Sequence, residues 1–439
     1  MKPVTVYLLS LGCSKNLVDS QVISGALKLN DFVIVSDPEE AQVIIINTCG
    51  FIEAAQQESI EAILELAQYK QTGACRLLLA VGCMAEKFAK DMQESMPELD
   101  ACLGVGQYER VPELVNQLLG WERPLAVLPQ DSFLLRDFSP GQGSAYLKIA
   151  EGCDNHCSYC LIPQLRGPYR SRPEARILTE AERLAEAGLS ELVLIAQDTT
   201  GYGLDLYGQA RLPGLLRQLA RLPLAMIRLL YAYPDRIGDR LLQVMAEEEN
   251  ICKYLDIPIQ HASGKILRAM NRPGDAGTLL KKLRRIRGFM PDISLRTTVI
   301  VGFPGESADD FDQLLGFLNE ARFDWVGAFP YYREADTPAA AMPGQVEEAE
   351  KQERLDRLLE QAGQHTRRAL TRFAGRTLTV LAEGPAEELG PGWQVGRSQF
   401  QAPEVDGCIY FQAREARPGS PCQVRITGSD QYDLSGEML

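Results

Sequence analysis

The 439-residue sequence lacks the features that mark membrane and secreted proteins. No apolar run approaches the roughly 20 residues that span a bilayer, and the longest, at residues 77–85, is about half that length. The amino-terminal segment MKPVTVYLLSLG has no basic stretch followed by a long apolar run, so it does not resemble a secretory signal. Together these absences predict a cytoplasmic protein without a membrane partner.

The sequence also lacks an excess of positive charge. Lys and Arg number 45 against 59 Asp and Glu, which gives a formal net charge of -14. A protein that coats RNA or DNA is expected to present the opposite, basic field. The length, at roughly 150 residues per domain, predicts two to four domains. No internal repeat or low-complexity tract is visible.

Residues 1–120 predict an α/β domain with a parallel sheet. Short runs rich in Val, Ile and Leu (VTVYLLSLG, VIIINTC and LLLAVGC) alternate with helix-like stretches at 17–29, 53–69 and 111–119. Ligands of such sheets lie beyond the carboxyl ends of the strands. Cys13, Cys49 and Cys83 each follow one of these strands at that end.

A linker is predicted at residues 121–144, with PGQGS as its most flexible part, and two further domains follow. Residues 145–370 contain six strand-like runs separated by stretches long enough for helices, which predicts a partial (βα)6 barrel of the TIM type. Chemistry in such a barrel lies at the carboxyl ends of the strands. A charged helix at about 346–373 leads to residues 371–439, whose short β-rich pieces predict a small OB-like β-barrel. The six runs are AYLKIAEG, LVLIAQD, MIRLLYAY, YLDIPIQ, ISLRTTVIVGF and WVGAFPYY.

The strongest chemical signal is the C-x3-C-x2-C triplet of Cys153, Cys157 and Cys160. Three thiolates on one loop suit a cubic iron–sulfur cluster but are fewer than the four that complete its ligation. One iron then keeps an open position, as catalytic metal sites do. A zinc site is the alternative, but its fourth ligand, His156, lies directly beside Cys157, which makes simultaneous ligation sterically awkward.

Cys13, Cys49 and Cys83 form a second candidate triplet. Each follows its own strand at the same edge of one predicted sheet, so the three are expected to converge. The alternative is that they are buried small apolar side chains, a common fate of cysteine. The remaining cysteines have no such paired placement and are expected to be structural; they are Cys75, Cys102, Cys252, Cys408 and Cys422.

The triplet in EGCDNHCSYC, after the first of six βα units, resembles the radical S-adenosylmethionine superfamily. With both triplets present, residues 4–437 resemble the methylthiotransferases, through LGCSKNLVDS, INTCGFI, VGCMAE and GCDNHCSYCLIPQLRGPYRSR. The resemblance implies an N-terminal cluster domain, a radical core and a C-terminal TRAM domain. It also implies two 4Fe-4S clusters, S-adenosylmethionine, and an electron donor of the flavodoxin or ferredoxin type. One cluster generates the radical, and the other presents the sulfur that becomes the CH3S group.

The family has two branches with different substrates. The segments AQDTTGYG, LLYAYPDRI, YLDIPIQHAS and RSQFQAPEVDG resemble the branch that modifies the β-carbon of an aspartate in protein S12 of the small ribosomal subunit. The other branch modifies an adenosine beside the anticodon of tRNA. An electron-carrying or scaffold iron–sulfur protein is the non-enzyme alternative.

The charge distribution agrees with a protein substrate. Residues 1–120 hold 8 basic and 16 acidic side chains, and residues 371–439 hold 6 and 9. Because phosphate neutralisation dominates affinity for nucleic acid, an acidic C-terminal barrel argues against tRNA. It suits a basic ribosomal protein instead, although negative charge also serves solubility alone.

Position and resemblance together indicate eight residues at the barrel mouth that bind S-adenosylmethionine. They are Tyr159, Gln197, Asp198, Asp256, Gln260, Arg296, Gly302 and Glu306. No catalytic side chain beyond the clusters is assigned.

Three arginines in LRGPYRSR, namely Arg166, Arg170 and Arg172, either bind the carboxylate of the target or of the nucleotide, or form salt bridges that brace the cluster loop. Neither His261 nor His365 is expected to be a ligand.

Overall fold

The computed structural model describes residues 3–122, 124–127, 129, 131–138, 143–413 and 415–439. It divides the chain into two compact units. The first comprises Met1–Ser139, Glu151–Asp154 and Leu161–Tyr169, and the second comprises Pro140–Ala150, Asn155–Cys160 and Arg170–Leu439. Within the described ranges, no helix is both long enough and apolar enough to cross a membrane. Residues 140–142 of the PGQGS tract lie outside those ranges, and the predicted domain limits stay predictions.

The first unit is built on a parallel five-stranded sheet in the order β2-β1-β3-β4-β5. Its strands are β1 (Val4–Ser10), β2 (Phe32–Ile34), β3 (Val43–Thr48), β4 (Leu77–Gly82) and β5 (Ala101–Leu103). Its helices are α1 (Ser14–Leu29), α2 (Glu53–Ala67), α3 (Tyr69–Thr72), α4 (Cys83–Ser95), α5 (Val111–Leu118) and α6 (Ile162–Leu165). The parallel sheet predicted from the sequence is therefore confirmed.

The central strands of this sheet are apolar on both faces because helices cover both. Every residue of β3 and β4 is buried, which is typical of parallel sheets. Ile45 and Leu79 pack in one core cluster, whereas Ile44 and Leu78 pack in the other. The sequence pattern missed β2 and β5, because three-residue strands leave little periodicity to detect.

The six strands of the second unit form two parallel three-stranded sheets, ordered β10-β9-β6 and β11-β12-β13. These strands are β6 (Ser144–Lys148), β9 (Glu191–Ile195), β10 (Met226–Leu229), β11 (Tyr254–Asp256), β12 (Ser294–Val301) and β13 (Trp325–Pro330), and the short strands β7 (Ala150–Glu151) and β8 (Arg170–Ser171) lie between β6 and β9 in the chain. A bridge between Ile227 and Ile251 and a hydrogen bond from Ala232 N to Asp256 O connect the two sheets. The predicted partial barrel is thus present as two half-sheets.

The helices of the second unit follow the strands as predicted. They are α7 (Glu174–Glu186), α8 (Leu204–Tyr207), α9 (Leu212–Leu219), α10 (Asp239–Glu247), α11 (Gly264–Ala269), α12 (Ala276–Phe289), α13 (Ala308–Ala321) and α14 (Glu348–Leu370). The charged helix predicted at 346–373 corresponds to α14. A capping box at Ser307 and Asp310 fixes the start of α13, since each side chain accepts a hydrogen bond from the other residue's backbone.

The C-terminal residues form a closed barrel in the order β14-β15-β16-β18-β17. Its strands are β14 (Thr377–Pro385), β15 (Trp393–Ser398), β16 (Ile409–Gln412), β17 (Pro421–Ser429) and β18 (Leu434–Met438). The predicted small barrel is confirmed, but the sequence pattern missed β18. Its residues, LSGEM, are too polar and too few to resemble a strand.

A buried ionic triad joins the two parts of the second unit. Glu191 on β9 pairs with Arg228 on β10 and with Arg397 on β15, at 2.8 Å in each case. All three side chains are at most 3% exposed. Burial opposes ionisation of Glu191, but the two guanidinium groups outweigh it and hold the pKa of this carboxyl at about 2.

We predict that Glu191→Gln destabilises the protein strongly, because it leaves two buried cations without their shared anion. Breaking a buried pair costs about 3–5 kcal/mol, measurable by urea denaturation at pH 7. Since the pKa of Glu191 is depressed in the folded state, its contribution is complete above the unfolded pKa of about 4.3 and is lost as the pH falls towards 2. Wild type should therefore lose more stability than the variant across that window.

The matched control is Glu247→Gln, which removes the exposed carboxylate that pairs with Arg217 at 2.7 Å. Exposed pairs contribute little, so its unfolding midpoint should equal that of wild type. Equal midpoints for Glu191→Gln and wild type would show that the triad does not stabilise the fold.

Candidate functional site

The cysteines of the first candidate triplet all lie at the carboxyl edge of the N-terminal sheet. Cys13 is the residue before α1, Cys49 follows β3 directly, and Cys83 is the first residue of α4, after β4. The order in which strands are added to the sheet reverses at β1, because β2 lies on one side of β1 and β3, β4 and β5 lie on the other. Open α/β sheets bind ligands in the crevice at such a switch point, and Cys13 and Cys49 flank it.

Close backbone contacts connect the three loops that carry these cysteines. Gly12 has φ +85°, and a Cβ there would lie 3.0 Å from Cys49 Sγ. A Cβ on Gly50 would lie 2.9 Å from the Cα of Met84, the residue after Cys83. The loop after β1 therefore contacts the loop after β3, and the loop after β3 contacts the segment that follows β4. This is the convergence that the strand-end placement predicts.

The three thiols differ in exposure. Cys13 is exposed, whereas Cys49 and Cys83 are buried. Burial raises the pKa of both buried thiols, that of Cys83 to about 12, and the neighbouring Arg166 charge partly opposes the shift. The thiols also interact electrostatically with each other, since Cys13 raises the pKa of both buried cysteines. A bound cation would remove the cost of forming these thiolates.

Arg166 is a structural cation beside this triplet. Its side chain is 1% exposed and pairs with Asp19 at 3.2 Å and with Glu151 at 2.9 Å. It also donates to Asn16 Oδ1 at 2.6 Å. The sequence left two interpretations of Arg166, binding of a ligand carboxylate or salt bridges that brace the cluster loop. These contacts correspond to the salt bridges.

The other two arginines of LRGPYRSR differ from each other. Arg172 is buried, pairs with Glu180 at 2.6 Å and donates to Lys148 O at 2.6 Å, so it too braces the structure. Arg170 on β8 is exposed. The structure therefore leaves Arg170 as the exposed member of the group.

Two asparagines that the sequence interpretation overlooked hold the loops of the first triplet. Asn16 Nδ2 donates to Leu11 O at 2.9 Å and to Thr48 O at 3.1 Å, and it thereby joins the loops after β1 and β3. Asn47 Nδ2 donates to Asn16 O at 2.8 Å. Both asparagines are fully buried. For Asn47, a polar residue inside the apolar run VIIINTC was the signal that could have found it.

The second candidate triplet lies on the segment after β7. Cys153 belongs to the first unit, where its N–H donates to Gly167 O at 3.2 Å. Cys157 and Cys160 belong to the second unit, where Cys160 N donates to Cys157 O at 3.0 Å. His156, the candidate zinc ligand, is exposed and has a positive φ of 49°.

Arg272, which the sequence interpretation also overlooked, lies against Cys157. Its Nη1 is 3.7 Å from Cys157 Sγ, and its Nη2 donates to Pro258 O at 2.7 Å. The guanidinium stacks 4.5 Å from the Tyr233 ring centroid, and the residue is 8% exposed. No carboxylate pairs with it among the described residues. The guanidinium of Arg272 therefore brings a positive charge and an N–H donor to the sulfur of Cys157.

No three His, Cys, Asp or Glu side chains within the described ranges form a ready site for a single metal ion. Three thiolates around one zinc lie within 4 Å of one another, given Zn–S bonds of ~2.3 Å. Thiolates that bind three different iron atoms of a cube lie farther apart. The three thiols at Cys13, Cys49 and Cys83 and the convergence of their loops suit an iron–sulfur cluster, and both ligand sets stay predictions.

Four of the predicted nucleotide-binding residues have structural hydrogen bonds of their own. Asp198 caps the turn at Thr199–Gly201 and pairs with Arg236. Asp256 accepts from Tyr231 N at 3.2 Å and from Arg296 Nη1 at 3.1 Å. Glu306 Oε2 accepts from Gly302 N at 2.9 Å, and its Oε1 pairs with Arg354.

The other four predicted residues line or follow the strand ends. Gln197 is half-buried after β9, and Gln260 has φ 70° where it bridges to Val299. Gly302 has φ 70° at the end of β12. Tyr159 packs edge-on against Phe303, with ring centroids 6.5 Å apart, and burial raises its pKa. Their roles in binding a nucleotide stay predictions.

The two discussed histidines lie in different surroundings. His261 is fully buried, with Nδ1 accepting from Ser263 N at 3.0 Å and Nε2 lying 3.4 Å from Glu306. His365 Nε2 lies 2.7 Å from Asn319 Oδ1 on α13. Burial and Arg368 lower the pKa of His365.

Family comparisons define the class of protein. The Radical SAM superfamily matches residues 147–318, the TRAM domain matches residues 374–439, and the uncharacterized protein family UPF0004 matches residues 5–104. The chain is therefore a radical SAM enzyme with a TRAM domain, and this class works with an iron–sulfur cluster and S-adenosylmethionine.

Full-length relatives define the particular family. Ribosomal protein uS12 methylthiotransferase RimO of Moorella thermoacetica is 47% identical over 440 residues, which cover 99% of this chain and 99% of the relative. The RimO proteins of Geotalea uraniireducens and Clostridioides difficile are 45% and 43% identical, over 99% of this chain and 98% of each relative. The chain belongs to the RimO family of methylthiotransferases.

Solved structures with the same fold are more distant. The radical S-adenosylmethionine methyltransferase TsrM of Kitasatospora setae, with cobalamin and a 4Fe-4S cluster bound, has a TM-score of 0.56 and 14% identity, over 77% of this chain and 74% of that chain. The cobalamin-dependent radical enzyme OxsB, with aqua-cobalamin and S-adenosylmethionine bound, has a TM-score of 0.52 and 13% identity, over 83% of this chain and 56% of that chain. Such likeness establishes the fold alone.

Proposed function

We propose that this enzyme methylthiolates the β-carbon of an aspartate in ribosomal protein uS12 with two 4Fe-4S clusters. Cys153, Cys157 and Cys160 bind the radical cluster. Cys13, Cys49 and Cys83 bind the auxiliary cluster, which carries the sulfur. The observation that supports the proposal most directly is the convergence of three cysteine-bearing loops at the switch point of the N-terminal sheet.

The residues around the proposed auxiliary cluster suit an anionic cofactor. Thiolates must form at two buried positions where burial alone raises the thiol pKa. The Arg166 cation lies near both thiols, and its network with Asp19 and Asn16 fixes it in place. The exposed Cys13 provides the accessible side of the triplet, where a reactant could approach.

The residues around the proposed radical cluster suit the same kind of cofactor. Arg272 brings a buried positive charge and a hydrogen-bond donor to Cys157 Sγ. Hydrogen bonds to the sulfurs and local charge set the reduction potential of such clusters. When bound, the cluster and S-adenosylmethionine supply a radical that removes hydrogen from an unactivated carbon, which ionisable side chains cannot do.

The protein substrate is proposed from the family and from charge. The relatives are named for uS12, and the C-terminal barrel domain carries 9 acidic against 6 basic side chains. Acidic surface favours encounter with a basic ribosomal protein rather than with tRNA phosphates. A flavodoxin- or ferredoxin-type donor supplies the electron in this proposal.

The two-cluster assignment predicts the iron content of cysteine variants. After anaerobic reconstitution, the triple Ala variant at Cys13, Cys49 and Cys83 should keep one 4Fe-4S cluster, and so should the triple variant at Cys153, Cys157 and Cys160. Iron and sulfide analysis with electron paramagnetic resonance measures both. The control is Cys75→Ala, at a buried cysteine outside both triplets, which should keep two clusters. An unchanged cluster count in either triple variant would remove that triplet from the assignment.

The substrate assignment predicts which molecule loses the modification in a deletion strain. Mass spectrometry should find that uS12 lacks the added mass of CH3S on its aspartate, while tRNA adenosines keep theirs. Loss from tRNA with intact uS12 modification would favour the tRNA branch. Cleavage of S-adenosylmethionine by the reconstituted protein separates both enzymes from a simple electron carrier, which would be reduced without cleaving it.

The contact between Arg272 and Cys157 predicts a shift in reduction potential. Arg272→Met should lower the potential of the radical cluster, because the reduced cluster gains negative charge that the guanidinium no longer offsets. We expect at least a tenfold change in the one-electron equilibrium, about 59 mV, in a titration monitored by electron paramagnetic resonance. Arg272→Lys should restore part of the shift, and Arg268→Met, at an exposed position on α11, should cause none. A cluster-loaded Arg272→Met protein with the wild-type potential would contradict the role.

A further inference from the structure

An open cavity of about 780 Å³ lies at the amino-terminal ends of β12 and β13. Ile293, the residue before β12, and Asp324, the residue before β13, both line it. The predicted nucleotide-binding residue Gly302 follows the other end of β12, and the eight residues of this strand separate the two ends by roughly 25 Å. The cavity is therefore remote from the predicted barrel mouth, and its volume is in the range that small ligands occupy.

Basic side chains dominate the lining of this cavity, although the chain has a formal net charge of -14. The lining includes His365 and four arginines, and we call it the arginine pocket; the arginines are Arg287, Arg322, Arg368 and Arg372. The acidic residues of the lining are Glu320 and Asp324, and each has a cationic partner. Glu320 pairs at 2.6 Å with Arg284, which lies outside the lining, and Asp324 pairs with Arg372.

Three of the four arginines have no such partner. Among the residues that the structure describes, no carboxylate forms an ion pair with Arg287, Arg322 or Arg368. Arg287 Nη2 donates to the backbone carbonyl of Arg322 at 2.6 Å. Burial lowers the pKa of Arg287, and Arg372 and Arg322 lower it further, although the Asp324 carboxylate opposes them. The guanidinium groups therefore repel one another, and a bound anion would relieve that repulsion.

The helices that end at the pocket account for part of its charge. Arg287 lies in the last turn of α12 and Arg368 in the last turn of α14, and α13 ends directly before Arg322. The carboxyl end of a helix carries about half a negative charge, so three ends offset about 1.5 positive charges. Four guanidinium groups less the Asp324 carboxylate leave three positive charges. A net charge of about +1.5 therefore remains for a ligand.

Arg322 occupies a backbone position that favours glycine. It has φ 52° and ψ 56°, which is the left-handed region in which many helices end with glycine. A residue with a side chain is strained in this region, and strained residues cluster at functional sites. The backbone alone thus gives no reason for an arginine here, whereas a role for its guanidinium in the pocket does.

Phosphate is the anion that matches these groups best. A guanidinium donates two parallel hydrogen bonds to the oxygens of a phosphate or a carboxylate. A phosphate group presents three acceptor oxygens and up to about two negative charges. It can therefore accept from guanidinium groups on several helices at once, whereas a carboxylate has fewer oxygens and a smaller charge.

We propose that the arginine pocket binds a ligand through its phosphate groups. Inorganic polyphosphates and nucleoside polyphosphates carry this chemistry, and the backbone of RNA carries it as well. The proposal does not rest on the proposed reaction, because the pocket lies at the strand ends opposite the predicted nucleotide-binding residues.

Isothermal titration calorimetry of the full-length protein with sodium tripolyphosphate, at low ionic strength, tests the proposal. Wild type should bind tripolyphosphate, and it should bind citrate, a polycarboxylate, more weakly. Arg322→Gly should weaken tripolyphosphate binding about tenfold, because a hydrogen bond between charged groups is lost. Since glycine suits the left-handed backbone of this position, Arg322→Gly should unfold at the wild-type temperature or above it.

Arg285→Gln is the matched control. It also removes one exposed arginine from α12 or its neighbours, but Arg285 pairs with Asp239 and lies outside the lining. This variant should bind tripolyphosphate as wild type does. Absence of binding by wild type, or equal weakening in Arg285→Gln and Arg322→Gly, would overturn the proposal and leave the arginines as partners of the helix ends. Equal affinity for citrate would overturn the choice of phosphate.

Competition against tripolyphosphate separates the sources of the phosphate groups. If a short single-stranded RNA displaces it from wild type and binds Arg322→Gly more weakly, the ligand is an RNA backbone. If ATP displaces it and the RNA does not, the ligand is a nucleoside polyphosphate. If neither displaces it, the pocket is specific for inorganic polyphosphate.

Discussion

Parallel strands deliver their carboxyl ends to one edge of a sheet, and the candidate chemistry of this protein depends on that constraint. In the N-terminal unit it gathers Cys13, Cys49 and Cys83 from positions up to 70 residues apart in the chain. In the second unit it gathers the loops after six strands around one mouth. A sheet with antiparallel neighbours would send alternate strand ends to opposite edges, and the same cysteines would then be separated by the length of a strand.

Buried cations are the second recurring feature. Arg166 lies near two buried thiols, Arg272 lies against Cys157, and Arg228 shares Glu191 with Arg397. The first and third have carboxylate partners, and these networks brace the fold. Arg272 instead has a carbonyl, a tyrosine ring and a thiol around it. Arg166 and Arg228 are therefore structural cations, whereas the charge of Arg272 lies beside a proposed cofactor ligand.

The C-terminal domain is part of the core rather than an appendage to it. The backbone carbonyls of Ser398 and Phe400 accept hydrogen bonds from the side chains of Arg228 on β10 and Trp325 on β13. Arg397 pairs with Glu191 on β9, and Gln399 O accepts from Arg228 on β10, so these contacts hold the segment RSQFQAPEVDG against the core strands.

Much of the fold was accessible from the sequence because long buried strands and amphipathic helices leave clear periodicities. The parallel sheet, the six core strands, α14 and the small barrel were all predicted, whereas β2, β5 and β18 were missed because short or polar strands are defined by their partners. The cysteine spacing also indicated the chemistry, because ligand type and number are properties of local sequence.

The sequence by itself therefore determined the classes of domain and the sulfur ligands available to metals. Only the tertiary structure decided which charges lie beside those sulfurs, that Arg166 and Arg172 pair with carboxylates, and that Glu191 is shared by two buried arginines. The pair of Arg166 and Asp19, for example, joins residues 147 positions apart in the chain. Periodicity is a short-range signal, but burial and electrostatic partners are set by which distant surfaces come together when the chain folds.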